Sequence, residues 1–332
     1  MSVVTARHVA EHAGVSLSTV SRALSAPELV AERTRRRVQA AARELGYEPN
    51  VAARSLATGR TSSLGLVVPD LDNPFFSSVV KGVQAKAWAG GYTVVVADSN
   101  EDPAMERELL QSLAKQVDGL ILCSPRTSDD AIAEVASRVR MALLNRTIPG
   151  ILSVTIDNTQ VVMTAVAHLR ALGHRSIAYV GGPSTSWSDA RRREGLRLCA
   201  ERFSDITVTD LGHFRPHYSG GVAAADLTAA SGATAVVTFN DLVAIGLMGR
   251  LKERGFVLPR QLSVVGIDDL SIAPLISPSL TSVRIPRQQL GSSAVQSLLD
   301  VLAGRRPTDG VSHETLPVDL VIRQSTAEPA EK

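Results

Sequence analysis

Two groups of residues in this 332-residue chain have the types and spacing to do chemistry. The first is Ser16-Leu17-Ser18-Thr19-Val20-Ser21-Arg22, a run of short hydroxyl side chains ending in an arginine. At the start of a helix, small polar groups of this kind can reach base edges and phosphates in a DNA major groove. The second group is scattered. Asp70-Leu71-Asp72-Asn73-Pro74-Phe75-Phe76, Cys123-Ser124-Pro125-Arg126, Asn145-Arg146, Asp157-Asn158, Asn240-Asp241 and Asp268-Asp269 each follow a short apolar run. If those runs are parallel strands, these residues stand at carboxyl ends, where such sheets bind ligands. Catalytic signatures are missing from the sequence: it has no G-x-S-x-G, no H-E-x-x-H and no P-loop. His8/His12 and His213/His217 have the i,i+4 spacing of a metal pair, but neither has a third ligand placed. The sequence therefore predicts no metal and no cofactor.

The elements that must position these residues fall into three stretches. Thr5 can cap a first helix that stops at Gly14. Ser16 can cap a second over 17–24, with Val20 and Leu24 spaced four apart. A third is predicted from about residue 31 to 45, ended by Gly46, with Val38, Ala41, Ala42 and Leu45 on its inner face. Residues 49–63 then read as a linker with helical character at 51–57. From residue 63 onward, β-branched runs alternate with amphipathic segments. Strands are predicted at 64–68, 93–97, 119–123, 141–144, 154–156, 176–180, 206–209, 235–239, 263–267 and 281–285, with a final extended segment at 316–322. Helices are predicted between many of them, among others at 75–89, 159–172, 190–202, 241–254 and 287–303. Alternation of this kind means parallel sheets covered by helices, and this many strands points to two similar lobes.

Composition narrows the function classes. The chain is 44% hydrophobic and 20% charged, enough apolar material for large cores. Its two cysteines, Cys123 and Cys199, cannot make a disulfide framework. The N-terminus lacks the apolar core of a signal peptide, and no run approaches the ~20 apolar residues of a membrane span. A cytoplasmic protein without membrane contact is expected. Residues 1–60 carry nine arginines against five glutamates, whereas the rest carries 26 basic and 28 acidic groups. Such a basic head is either a polyanion-binding module or a solvated basic helix.

Longer motifs decide more. Val9-Ala10-Glu11-His12-Ala13-Gly14-Val15-Ser16-Leu17-Ser18-Thr19-Val20-Ser21-Arg22-Ala23-Leu24 resembles the helix-turn-helix of the lactose-repressor (LacI/GalR) family of bacterial transcription regulators. Leu45-Gly46-Tyr47-Glu48-Pro49-Asn50-Val51-Ala52-Ala53-Arg54-Ser55-Leu56 resembles that family's third-helix end and hinge. Leu172-Gly173-His174-Arg175-Ser176-Ile177-Ala178, Val264-Val265-Gly266-Ile267-Asp268-Asp269, Pro278-Ser279-Leu280-Thr281-Ser282-Val283 and the ending Leu316 to Arg323 resemble its regulatory domain. The motifs run in order over residues 3–327.

The resemblance implies an all-α helix-turn-helix head with a hinge, followed by an α/β body like a type I periplasmic-binding protein, built of two doubly wound lobes. It implies a DNA-binding domain over 1–48, a hinge over 49–62, an effector-binding and dimerisation domain over 63–327, and a tail over 328–332. The N-lobe would take about 63–158 plus part of 289–325, and the C-lobe about 160–286. Leu17, Ser18 and Arg22 would face base edges, Arg22 as a fork on guanine. Leu17 could instead pack in the core. Ser16, Thr19, Ser21 and Asn50 would hold the DNA backbone, and Thr5 would also contact the DNA. In the hinge, Leu56 would wedge between base pairs in the minor groove, Ala53 would let two hinges pack, and Arg54 would approach the backbone. The alternative there is a linker with an incidental leucine.

In the body, Phe75 and Phe76 would stack on an effector, with Phe75 as a core residue the alternative. Ser124, Asn145, Ser188, Arg192, Asn240 and Asp268 would hydrogen-bond the effector, and Phe214 would close the far side. Trp187 either enters the cleft or does not. An apolar ring face with a carboxylate, an amide and an arginine suits a sugar or polyol. Asn145 replaces an acid usual in the family, which leaves the sugar unspecified. The implied function is a homodimeric repressor on a palindromic double-stranded DNA operator, released by a small-molecule effector. The alternatives are a regulator that needs a purine-like corepressor, and a solute-binding protein. A sugar-metabolising enzyme is a third class, for which no acid/base pair identifies itself.

Overall fold

The computed structural model describes residues 4–25, 27–47, 60–305 and 313–330. It divides into two compact units, 1–62 and 63–332.

The first unit begins with helices α1 (Ala6–Ala13) and α2 (Leu17–Ser25). A short 3-10 turn, Pro27–Leu29, leads to α3 (Glu32–Glu44). At the start of α1 the Thr5 amide donates to His8 Nδ1 at 3.2 Å. Gly14 ends α1 at φ 60, a left-handed conformation that glycine adopts without Cβ strain. Ser16 Oγ then accepts from the Thr19 amide at 3.2 Å and starts α2. Val9, Ala10, Ala13, Val20, Ala23, Val38, Ala41 and Ala42 form the core. Most are small, so three short helices can approach closely. The helical character expected at 51–57 falls outside the described residues.

The second unit has two six-stranded sheets. The N-lobe sheet has the order β2-β1-β3-β4-β5-β11. Its strands are β1 (Ser63–Val68), β2 (Thr93–Asp98), β3 (Gly119–Cys123), β4 (Arg140–Leu144), β5 (Leu152–Ile156) and β11 (His313–Leu316). The C-lobe sheet has the order β7-β6-β8-β9-β10-β12. Its strands are β6 (Ser176–Gly181), β7 (Thr207–His213), β8 (Ala235–Thr238), β9 (Ser263–Asp268), β10 (Thr281–Arg284) and β12 (Asp319–Val321). Pairing is parallel except between β10 and β12. Helices cover the sheets, so central strands such as β3 and β9 are buried at every residue, and β3 reads as an unbroken apolar run.

The helices of this unit are α4 (Pro74–Ala89), α5 (Pro103–Leu113), α6 (Asp129–Ala136), α7 (Asn158–Ala171), α8 (Trp187–Arg202), α9 (Tyr218–Ala230), α10 (Asp241–Glu253) and α11 (Arg287–Leu302). The chain passes between the sheets three times, after β5, after β10 and after β11. The last passage corrects the single extended segment expected at 316–322. It breaks at Pro317 into β11 and β12, which join different sheets.

Candidate functional site

In the head, Val20 and Ala23 turn one side of α2 into the core, while Leu17, Ser18, Ser21 and Arg22 are exposed. Their spacing places them in one stripe along the helix. Leu17 is 50% exposed, so the core-packing alternative for it does not hold. Ser16 Oγ lies 2.8 Å from both Ser18 Oγ and Thr19 Oγ1. Thr5 and Ser16 are exposed, and Thr19 is half-buried. The start of α2 thus gathers hydroxyls at a helix N-terminus, where the backbone dipole favours an anion. Asn50, Ala53, Arg54 and Leu56 lie outside the described residues.

In the body, both sheets share one strand order, and both switch direction beside their first strand. Ligand sites of such sheets lie at that switch, beyond the strands' carboxyl ends. From the N-lobe, Asn73 Oδ1 accepts from the Phe75 amide at 3.0 Å and caps α4 after β1. The rings of Phe75 and Phe76 meet edge to face, with centroids 5.1 Å apart. Ser124 follows β3 at φ 46 and Asn145 follows β4 at φ 55. Asn145 Nδ2 donates to Ser124 Oγ at 3.2 Å. Its Oδ1 is buried with no hydrogen-bond partner among the described residues.

From the C-lobe, Ser186 caps α8, which carries Ser188 and Arg192. Arg192 Nε donates to Asn158 Oδ1 at 3.0 Å, and its Nη1 donates to the Phe239 carbonyl. The Arg192 guanidinium lies 4.9 Å from the Phe239 ring centroid. Gly182 makes room for that ring, since a Cβ there would stand 2.4 Å from it. Asn240 caps α10 through the Val243 amide at 2.9 Å and donates Nδ2 to the Pro216 carbonyl at 2.9 Å. Asp268, 4% exposed, ends β9 at φ 117. Burial pushes its pKa well up, the Asp241 charge adds to this, and Arg192 opposes it. Asp241 itself is pushed up to about 7 by burial, against hydrogen bonds from the Ser282 hydroxyl and the Leu270 amide.

The structure brings Phe75, Phe76, Ser124, Asn145, Ser188, Arg192, Asn240 and Asp268 around one narrow cavity of about 40 Å³. Phe214 is not among them. It lines a neighbouring cavity of about 430 Å³. Strand β7 runs on to His213 instead of ending at 209, the Phe214 amide donates to the Gly181 carbonyl at 3.1 Å, and its ring packs partly on the C-lobe core. Trp187 lines neither cavity; the Arg191 guanidinium lies 5.6 Å from its ring.

The walls also contain residues the sequence reading did not select. The buried Arg126 and the half-buried Glu101 form an ion pair, with Arg126 Nη2 donating to Glu101 Oε1 at 2.9 Å. Arg126 stands at a strand end noted in the sequence, but Glu101 follows β2, which carried no such sign. Only the left-handed turn of Asn100 (φ 50) and Glu101 (φ 59) brings that carboxylate to the cavity. Left-handed non-glycine residues cost about 1–3 kcal/mol each and gather at functional sites. Here all but Ser62, which precedes β1, stand at the carboxyl ends of β2, β3, β4 and β9. Among the described residues, no group of three His, Cys, Asp or Glu side chains is placed to hold a metal. None of the described helices is long and apolar enough to cross a membrane.

Known proteins share this organisation. Residues 5–50 match the model of bacterial regulatory proteins of the lacI family, and residues 166–326 match a periplasmic binding protein-like domain. The HTH-type transcriptional repressor CytR of Escherichia coli K12 is 31% identical, over 98% of this chain and 97% of its own length. A crystal structure of the lac repressor dimer bound to operator and the anti-inducer ONPF superposes with a TM-score of 0.85 at 29% identity, covering 98% of this chain and all of that one. A complex of the transcriptional regulator CelR with cellobiose gives 0.72 at 28% identity, over 97% and 100% of the two chains. With similarity that runs over 98% of its length, from the hydroxyl-rich helix to the last strand, the chain belongs to the lacI family of DNA-binding transcriptional regulators.

Proposed function

We propose that the protein is a homodimeric repressor that binds a palindromic operator and is released from it by a small sugar or polyol held in the cleft. The observation that carries this reading is the pairing of an exposed stripe on α2 with a buried cavity lined from both lobes. Arg22 and Leu17 read base edges, while Ser18 joins them at the start of the helix. Thr5, Ser16, Thr19 and Ser21 position the head on phosphates. By family resemblance, Asn50, Ala53, Arg54 and Leu56 supply a second DNA element. Two-fold symmetry of the protein makes the operator a palindrome. The relatives bound to operator and to cellobiose support both halves of the reading.

In the cleft, Asp268 accepts from ligand hydroxyls and Arg192 donates to a ring oxygen or hydroxyl, while Phe75 and Phe76 cover an apolar ring face. Binding draws the two lobes to one relative position. The effector releases DNA only if it prefers the lobe arrangement that binds operator less well, and a coupling of about 1–3 kcal/mol is typical.

The test is fluorescence anisotropy on a labelled palindrome from the promoter nearest the gene, at fixed salt, with and without single sugars. Tight binding weakened by one sugar is the expected result. Binding strengthened by a ligand would reverse the switch, and absence of specific binding would remove the DNA half of the reading.

A further inference from the structure

Glu106 breaks the pattern of its helix. On α5 it shares the inward face with Leu110 and Leu113, and it is fully buried. Helical spacing calls for an apolar residue at that place. A buried carboxylate is costly unless hydrogen bonds hold it. The Glu106 oxygens accept from two successive backbone amides. The Arg126 amide lies 3.1 Å from both Oε1 and Oε2, and the Thr127 amide lies 2.9 Å from Oε1.

Those amides belong to the loop between β3 and α6, which carries Ser124 and Arg126 into the cavity wall. The loop leaves the sheet at Ser124, whose amide still donates to the Leu144 carbonyl at 2.8 Å. Beyond it, side chains satisfy the backbone. Arg126 Nη1 donates to the Ser124 carbonyl at 2.6 Å, and Arg146 Nη1 donates to the Thr127 carbonyl at 2.7 Å. Glu106 takes the N–H groups of the same stretch. Ser124 stands at φ 46, a backbone conformation that persists only where the surroundings impose it. Glu106 is not itself in the cavity wall, so it touches a ligand only through this loop.

We propose that Glu106 is a positioning residue of the effector site: as a carboxylate it fixes the Arg126 and Thr127 amides, and through them it sets where Ser124 and Arg126 stand in the cavity. This inference rests on reading the cavity as the effector site. It gives that site a pH dependence. The charged groups around Glu106 are Arg126 and Arg146, which are paired in turn with Glu101 and Asp129, and the Cys123 thiol ends β3 nearby. Burial pushes the Glu106 pKa above its ordinary 4.5, against the Thr127 and Arg126 amides and the two guanidiniums. Glu106 therefore takes up a proton at a higher pH than a solvated glutamate does. The proton removes an acceptor and sets an O–H against a backbone N–H, so the loop loosens as pH falls.

The experiment compares the full chain with Glu106→Gln, which keeps the shape and one acceptor but turns an NH2 group towards the Arg126 amide. Thermal unfolding establishes that the variant folds. Hydrogen exchange reads the Arg126 and Thr127 amides, with those of β3 as reference. Calorimetry with glucose, galactose, ribose and cellobiose reads the site at about pH 7.5 and about pH 5. At the higher pH, the variant is expected to lose about tenfold in protection at the two amides and about tenfold in affinity for the sugar that binds. At the lower pH the two proteins should converge, because the wild-type carboxylate is then partly protonated. A lower melting temperature with unchanged sugar affinity would make Glu106 a purely structural residue and overturn the proposal. An affinity ratio that is the same at both pH values would also overturn it. If the variant does not fold, the wild-type chain still decides. Its protection at Arg126 and Thr127, relative to β3, should fall between the two pH values, and a constant difference would overturn the proposal. Failure of every sugar to bind the wild-type chain would overturn the effector reading of the cavity together with this inference.

Discussion

The head and the cleft place their functional groups on opposite sides of burial. In α2 the core is made by Val20 and Ala23, and the residues proposed to meet DNA project from the exposed side. In the cleft the working groups are themselves interior. Arg192 is 5% exposed and Asp268 4%, and each is held by protein partners or by a left-handed backbone. The difference follows from the ligands. DNA is large and brings its own surface, so a rigid helix with a polar face is enough to read it. A small effector must be surrounded, so its polar partners must be buried beforehand and kept from satisfying one another completely. Asn145 Oδ1 fits that description.

The largest effect that can break this contrast is at Asp268. Replacement with Ala removes the buried acceptor proposed to bind two ligand hydroxyls. Two ligand hydroxyls left buried without an acceptor cost about 1–3 kcal/mol each, so sugar affinity should fall by about 100-fold or more. Operator affinity without sugar should stay the same, because the change lies in the other unit. A sugar response of normal size in Asp268→Ala, measured by anisotropy, would show that the cavity is not the effector site.

Legibility followed the same division. Helical spacing gave the inner side of α2 through Val20, but the exposed stripe of Leu17, Ser18 and Arg22 was given by the family resemblance, and spacing alone left Leu17 open. Gly14 and Ser16 gave the helix boundaries through their own backbone preferences. Phe75, Phe76, Ser124, Asn145, Asn240 and Asp268 stood at expected strand ends, and the family resemblance selected them there, whereas Ser188 and Arg192 lie within a helix and came from the resemblance alone. Glu101 could not, since its place depends on a left-handed turn that Asn100-Glu101 does not announce. Phe214, expected to close the far side of the effector, lines the neighbouring cavity, and strand β7 before it runs four residues beyond its expected end, since strand ends are poorly fixed by composition. The division of 316–322 between two sheets is a long-range choice that no local pattern encodes.

A second way to sharpen the comparison is Arg22→Ala. A bidentate contact to guanine is worth about 1–3 kcal/mol of discrimination, so preference for operator over random DNA should fall about tenfold to 100-fold. Weak binding to random DNA and sugar affinity should persist. Unchanged preference in competition titrations would remove Arg22 from the reading surface.

Burial of carboxylates in the body also predicts a pH dependence of stability. Asp241 is raised from its ordinary 3.8 to about 7, mainly by burial. The native state therefore binds more protons than the unfolded chain between these values. Stability must fall as pH rises through this window and level off above it. Asp268 shifts in the same direction. His168 and His174 act oppositely, because burial lowers their pKa values and their cost disappears as pH rises towards 6.5. The informative quantity is thus the difference between wild type and Asp241→Asn. Asp241→Asn should lose the downward slope between about pH 4 and 7 in urea unfolding. Parallel curves for the two proteins would mean that Asp241 keeps an ordinary pKa.

The smallest effect tests the contrast most directly. Leu17 is a large apolar side chain left half in water at the start of α2. A residue with that exposure adds little to the core, so Leu17→Ala should change stability by no more than about 0.5 kcal/mol. An apolar contact to a thymine methyl would nevertheless be lost, and operator affinity should fall by a few-fold with discrimination reduced at one base pair of each half-site. Both measurements are needed, because the combination separates a reading residue from a packing residue. A clear drop in melting temperature with unchanged operator affinity would place Leu17 with Val20 and Ala23, on the inner side of its helix.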